Sequence, residues 1–220
     1  FVKGDIGDRA LLAKLLTQHQ PRAVINFAAE SHVDRSIHGP ADFIQTNIVG
    51  TFNLLESVRE YWTALPEAQK TAFRFLHVST DEVYGSLEKT DPAFSESNRY
   101  EPNSPYSASK AASDHFVMAY HHTHGLPVNI TNCSNNYGPR QHSEKFIPTI
   151  IRKAKANEPI PIYGTGQNIR DWLFVEDHCD AILTVAANFK AGERYNIGGG
   201  YEESNYHLAR LILEMMDKPK

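Results

Sequence analysis

Asp81 and Glu82 stand side by side in His77-Val78-Ser79-Thr80-Asp81-Glu82-Val83-Tyr84-Gly85, at the end of a largely apolar run. Adjacent carboxyls suit a β-elimination, which takes a proton at one carbon and gives one at the next. Like charges held close cannot both ionise easily, so one acid stays protonated beside its ionised neighbour. A second pair, Tyr106 and Lys110, is four apart and so shares one face of a helix. An ammonium near a phenol favours the phenolate and makes a tyrosine base possible. Taken alone, each pair also fits a solvated surface.

These residues have to be held by the elements around them. Ser104 and Pro105 suit the N-cap and first position of a helix over 105–124. Phe73–Ser79 reads as the strand before it and Val128–Thr131 as the strand after it. Upstream, Phe1-Val2 reads as the end of a strand, and Asp8 caps a helix of about 11 residues carrying Leu11, Leu12, Leu15 and Leu16. Ala23–Ala29 has the continuous apolar pattern of a strand buried on both faces. Phe43, Ile44, Ile48, Phe52, Leu55 and Val58 mark a long helix over about 41–61. Such alternation predicts an α/β chain on a parallel sheet, with ligands at the carboxyl ends of the strands. Beyond about Ser134, Pro139, Pro148, Pro159, Pro161, Gly164 and Gly166 shorten the pieces, and a soft boundary falls there. Helices are expected near 146–156, 177–189 and 204–216.

Composition narrows the function classes. The 220 residues are 41% hydrophobic and 22% charged, and the net charge of -4 is spread without long runs. That profile fits a globular protein working on small molecules and gives no footprint for nucleic acid or a membrane surface. Cys133 and Cys179 lack any metal or disulfide spacing and read as two buried free thiols in a reducing cytoplasm. His121, His122 and His124 lie at a helix end before Gly125, where histidines meet solvent and the helix dipole; His32 and His178 read as structural. No metal site is expected.

The Tyr-x-x-x-Lys opening a helix after a strand that ends Ser-Thr-Asp-Glu resembles the extended short-chain dehydrogenase/reductase family, which works on nucleotide sugars with NAD. Val78–Gly85 looks like the signature of the dTDP-glucose 4,6-dehydratases within it, whose epimerase relatives usually lack the Asp-Glu pair. Ala28–Asp34, Thr46–Thr51, Asn135–Pro139 and Arg170–Val175 agree in the same order. The resemblance implies an incomplete doubly wound, Rossmann-type sheet with a smaller C-terminal substrate-binding part. It divides the chain into an NAD-binding domain over 1–134 and a nucleotide-sugar-binding domain over 135–220, some of whose segments return to the first.

The resemblance also implies the roles. Tyr106, helped by Lys110 and Thr80, would take the sugar 4-hydroxyl proton; Glu82 would take the C5 proton, and Asp81 would protonate the leaving C6 hydroxyl. Asp5, Ile6, Phe27, Ala28, Ala29, Ser31, Thr46, Tyr106, Lys110 and Asn136 match NAD-side positions. Ser31, Thr80, Asn135, Lys145, Phe146, Pro161, Ile162, Tyr163, Arg170 and Asn205 match substrate-side positions. Arg170 suits a diphosphate clamp, and also suits a surface ion pair with Asp171. Small residues at Ala28 and Ala29 serve close dinucleotide approach or tight packing alike, and Pro161–Gly164 also reads as a plain turn. A homodimer through the helices at 41–61 and 105–124 is implied. Rivals are a UDP-sugar 4,6-dehydratase, a 4-epimerase, or a noncatalytic nucleotide-sugar binder.

One departure stands out. The family opens on a GxxGxxG turn that cradles the NAD pyrophosphate, and this chain, which begins at Phe1, has none. It is therefore expected to be an internal fragment that is itself inactive and binds NAD weakly or not at all.

Overall fold

The computed structural model describes residues 1–88 and 90–219. In chain order the elements are α1 (Arg9–His19), β1 (Ala23–Asn26), α2 (Val33–His38), α3 (Pro40–Phe43), a π-helical segment (Ile44–Gly50), α4 (Thr51–Ala64), α5 (Glu67–Ala72), β2 (Arg74–Thr80), a 3-10 turn (Asp81–Tyr84) and α6 (Pro105–His124). There follow β3 (Val128–Cys133), β4 (Asn135–Tyr137), α7 (Phe146–Ala156), β5 (Ile169–Phe174), α8 (Val175–Ala187), β6 (Arg194–Ile197), β7 (Glu202–Ser204) and α9 (Asn205–Met215). The chain divides into two compact units, Phe1–Asn132 with Thr184–Asn196, and Cys133–Leu183 with Ile197–Lys220.

The first unit is built on a sheet of order β1-β2-β3-β6, in which β1 and β2 run parallel with Ala23 opposite Arg74 and Asn26 opposite His77. Every residue of β2 is buried or half-buried, so both of its faces are covered. Phe73 and Phe75 meet Leu54, Leu55 and Val58 of α4, Val117 and Tyr120 of α6, and Val128 and Ile130 of β3 in one core. Each large apolar side chain removed from water there contributes about 1.5–3 kcal/mol, which fixes the later half of α6 against the amino end of β2.

Local rules place the helices as the sequence predicts. The Asp8 side chain accepts the Leu11 N–H at 3.0 Å, and Ser104 with Ser107 forms a reciprocal capping box ahead of α6. The first strand does not form: Phe1 is fully exposed and Val2 half exposed, with no paired strand beside them among the described residues. β1 stops at Asn26, and Ile25 and Phe27 are exposed. The strand expected to be buried on both faces therefore lies at the sheet edge, because β2 pairs with only one of its sides. The long helix at 41–61 is interrupted by the π segment, whose widened turn sets Asn47 inward.

The second unit contains a small sheet of order β4-β5-β7, parallel between β4 and β5 and antiparallel between β5 and β7. Cys133 is half-buried and Cys179 exposed, correcting the expectation of two buried thiols; Cys179 lies on α8, most of whose side chains remain outside a core. Among the described residues no helix is long and apolar enough to cross a membrane, and no group of three or more His, Cys, Asp or Glu could hold a metal ion.

Candidate active site

β2 delivers Thr80 to the head of the 3-10 turn, and this threonine organises both acids. Its Oγ1 accepts the Glu82 N–H at 3.3 Å and its hydroxyl donates to Asp81 Oδ1 at 3.4 Å. Asp81 and Glu82 stay half-exposed, while Val83 and Tyr84 behind them are buried. The Tyr84 hydroxyl donates to Asn196 Oδ1 at 2.9 Å and its ring stacks on Phe94, which anchors the turn. Burial pushes the Tyr84 phenol up to about 12, so it acts as a neutral donor here. The turn closes at Gly85 with φ +99; a Cβ there would lie 2.6 Å from the Glu101 carbonyl oxygen, so only glycine fits without strain.

α6 brings the second pair to the same place. The Tyr106 N–H donates to Ser36 Oγ of α2 at 3.1 Å, and the ring packs edge-on against Phe43 of α3. Lys110, one turn on, is 4% exposed and its Nζ donates to the Val78 carbonyl at 2.9 Å. That bond ties the Tyr106/Lys110 face of α6 to the strand that carries Asp81 and Glu82 three and four residues later. Of the residues predicted from two separate stretches, Lys110 is thus joined to the strand end that leads into Thr80, Asp81 and Glu82, with Tyr106 one turn earlier on the same helix.

Around the carboxyl end of β1, Asn26 Oδ1 accepts the Ala28 N–H at 3.1 Å, holding the chain in a bend after the strand. Phe27, Ala28 and Ser31 are exposed, and Ala29 is half-buried. Asn47 clamps Glu30 from both sides, accepting its N–H at 2.8 Å and donating to its carbonyl at 3.0 Å, while also donating to Ser109 Oγ at 2.8 Å. Asp5 Oδ1 accepts the Gly7 N–H at 2.6 Å, and Ile6 lies against Gly50. Open backbone at Phe27–Ala29 with only methyl side chains at two positions fits the ribose and pyrophosphate side of a dinucleotide. Thr46, half-exposed on the π segment, belongs to the same unit.

The second unit holds the other predicted positions. Asn135 and Asn136 lie on β4, with Asn136 Nδ2 donating to the Ser134 carbonyl at 3.0 Å. Lys145 precedes α7, and Phe146 at its start stacks on Trp172 with ring centroids 6.4 Å apart. Tyr163 is 77% exposed in a loop with Pro161 and Ile162, next to Gly164 at φ +58. Arg170 is exposed on β5 and its Nη1 donates to the Ile169 carbonyl at 3.0 Å. It is not bridged to Asp171, whose carboxylate instead accepts the Gly199 and Tyr201 N–H groups at 2.7 and 2.9 Å. Asn205 opens α9, its N–H donating to the Asn168 carbonyl at 3.1 Å.

Sequence reasoning missed a buried polar cluster behind the acids, comprising Asn26, His77, Ser79, Tyr100, Asp114 and Asn132. The available signal was Asp114 itself, one further turn along the face of Tyr106 and Lys110, and a histidine inside the apolar run of β2. Burial, with the Lys110 charge adding to it, holds the His77 imidazole well below its usual range.

Comparison with known proteins follows the same lines. The family model described as GDP-mannose 4,6 dehydratase matches residues 1–219. A dTDP-glucose 4,6-dehydratase of Xanthomonas campestris pv. campestris (strain B100) is 63% identical over 218 residues, 99% of this chain and 62% of that protein. Another, from Escherichia coli (strain K12), is 54% identical over 226 residues, 99% of this chain and 63% of that protein. The chain thus spans a little over three fifths of the length of these relatives. Among solved structures, a dTDP-glucose 4,6-dehydratase from Streptomyces venezuelae with NAD bound superposes with a TM-score of 0.91 at 46% identity, covering 100% of this chain and 64% of that one. A UDP-glucose 4-epimerase from Thermotoga maritima superposes with a TM-score of 0.88 at 27% identity, covering 100% and 69%.

Proposed function

Because this chain belongs to the GDP-mannose 4,6 dehydratase family, we propose that the enzyme carrying it converts dTDP-glucose to dTDP-4-keto-6-deoxyglucose with NAD. The observation that carries this reading is the 2.9 Å bond from Lys110 Nζ to the Val78 carbonyl, which supports a tyrosine–lysine pair working with Asp81 and Glu82. The identity to dTDP-glucose 4,6-dehydratases supports the substrate class.

NAD, when bound, would supply the hydride acceptor for C4 and the hydride donor for C6. Tyr106 removes the 4-hydroxyl proton, its phenolate favoured by the Lys110 ammonium. The Thr80 hydroxyl donates to the 4-oxygen and polarises the carbonyl that forms there. That carbonyl makes the C5 proton acidic, so Glu82 takes it as a carboxylate while Asp81, as the neutral acid, protonates the leaving C6 hydroxyl and water departs. Asp5, Ile6, Phe27, Ala28, Ala29, Ser31, Thr46 and Asn136 hold the dinucleotide. Ser31, Asn135, Lys145, Phe146, Pro161, Ile162, Tyr163, Arg170 and Asn205 hold the nucleotide sugar, with Arg170 pairing with diphosphate oxygens. Residues 1–134 serve as the NAD-binding domain and 135–220 as the nucleotide-sugar-binding domain, apart from the segment Thr184–Asn196, which returns to the first unit.

Incubation of the whole enzyme that carries this chain with dTDP-glucose or UDP-glucose tests the proposal. Thymidine and uridine diphosphates differ by a ring methyl and a 2′-hydroxyl, contacts that discriminate by about tenfold or more in kcat/KM. The expected product is the 4-keto-6-deoxy sugar, formed preferentially from dTDP-glucose. A 4-epimerised sugar, or turnover of neither donor, would sink the reading.

The partner proposed is a second copy of the chain. Ile37, Ile44, Phe52 and Phe116 are exposed on α2, the π segment, α4 and α6, and Phe52 and Phe116 touch with ring centroids 6.4 Å apart. Exposed aromatic and aliphatic side chains on neighbouring helices suit an interface. Sedimentation at twice the protomer mass is expected, and a monomer at micromolar concentration would contradict it. The cytoplasm is the proposed location, in keeping with two unbridged cysteines.

A further inference from the structure

We propose that Asp114 is a positioning residue, holding a buried negative charge against Lys110 and tying the ends of β2 and β3 together beneath the Thr80–Glu82 turn; this rests on the dehydratase reading above. Tyr106, Lys110 and Asp114 follow one another at intervals of four on α6, so they share its inward face. Asp114 is 0% exposed. Its Oδ2 accepts the Ser79 hydroxyl at 2.8 Å, the Tyr100 hydroxyl at 2.9 Å and Asn132 Nδ2–H at 3.3 Å. The same Asn132 amide donates to the Thr80 carbonyl at 3.1 Å. The carboxyl thus reaches the catalytic turn by two routes, through Ser79 next to Thr80 and through Asn132.

The protonation state follows from the donors. Ala28 N–H occupies Asn26 Oδ1, which leaves Asn26 Nδ2–H to donate to His77 Nδ1 at 3.1 Å. A neutral imidazole that accepts at Nδ1 carries its proton on Nε2. His77 Nε2 faces Asp114 Oδ1 at 3.5 Å, and among the described residues neither atom has another partner. Donors then face both carboxylate oxygens. Burial raises the carboxyl above the usual carboxylate range, and Lys110 with the hydroxyl and amide donors offsets only part of that rise; we assign the ionised form from the donors that face both oxygens, as counter-charge to the Lys110 ammonium. The titratable and charged groups around it are His77 from β2, Lys110 from α6, Tyr84 from the 3-10 turn and Tyr100 from the segment before α6, with Arg194 of β6 over the Tyr100 ring.

Asp114→Asn keeps the shape and removes the charge. A lost negative charge lowers the pKa of every neighbour, since both the phenolate and the neutral amine become easier to form. Both limbs of the kcat–pH profile are therefore expected to move to lower pH by about one unit, with kcat down about 100-fold and KM for the nucleotide sugar changed less than about threefold. A lower kcat with unmoved limbs would reduce Asp114 to a structural role and overturn the proposal. Wild-type enzyme assayed in parallel separates the two readings, because inactivity there counts against the dehydratase function alone. Nitrogen NMR of the wild-type His77 ring supplies a readout that needs neither a folded variant nor substrate. A neutral ring protonated at Nε2 at neutral pH is expected; a proton on Nδ1, or an imidazolium, would contradict the assignment.

Discussion

Glu82→Gln is expected to abolish solvent-deuterium exchange at C5 of the sugar and to lower kcat by about 10³-fold, within the range that general bases contribute. Glutamine keeps the volume and leaves the backbone bond to Thr80 Oγ1 in place, so the 3-10 turn persists. Only the capacity to accept a proton is lost. Oxidation at C4 precedes that step, so a single turnover should still accumulate reduced nicotinamide, now unable to proceed to elimination. C5 exchange at the wild-type rate in this variant would remove Glu82 from the role of base. It would also remove the physical reason for placing two acids at the end of β2.

Tyr106→Phe is expected to cost about 10²–10⁴-fold in kcat and to suppress the first oxidation itself, so that no reduced nicotinamide forms in a single turnover. The variant distinguishes oxidation from elimination, since Glu82→Gln stops after the first and Tyr106→Phe before it. The fold should tolerate the change: the ring keeps its edge contact with Phe43, and the backbone N–H keeps Ser36 Oγ. Thermal unfolding within a few degrees of wild type, together with unchanged KM, would place the loss in chemistry rather than folding. Formation of reduced nicotinamide at the wild-type rate would show that another group takes the 4-hydroxyl proton.

Helix positions were legible because their causes are local. Asp8, Ser104 with Ser107, Pro105 and Ser204 act on backbone groups within a few residues, and the starts of α1, α6 and α9 follow from them. Strand exposure was not legible in the same way. Ala23–Ala29 and Phe73–Ser79 are both apolar runs, yet β2 is covered on both faces and β1 leaves Ile25 and Phe27 exposed. The difference lies in the neighbouring strands, which no property of either run encodes. Cys179 illustrates the same limit, a thiol whose helix leaves it exposed.

Residue types and short spacings marked the candidates, an acid pair suited to elimination and a tyrosine four residues from a lysine, and the resemblance of the surrounding blocks singled them out. Tertiary structure decided that Lys110 reaches the Val78 carbonyl, and that Asp114, His77 and Asn132 are buried beside the end of β2. The physical reason is desolvation. Buried polar groups have to be satisfied by one another, and which groups become buried together depends on how strands and helices distant in sequence pack.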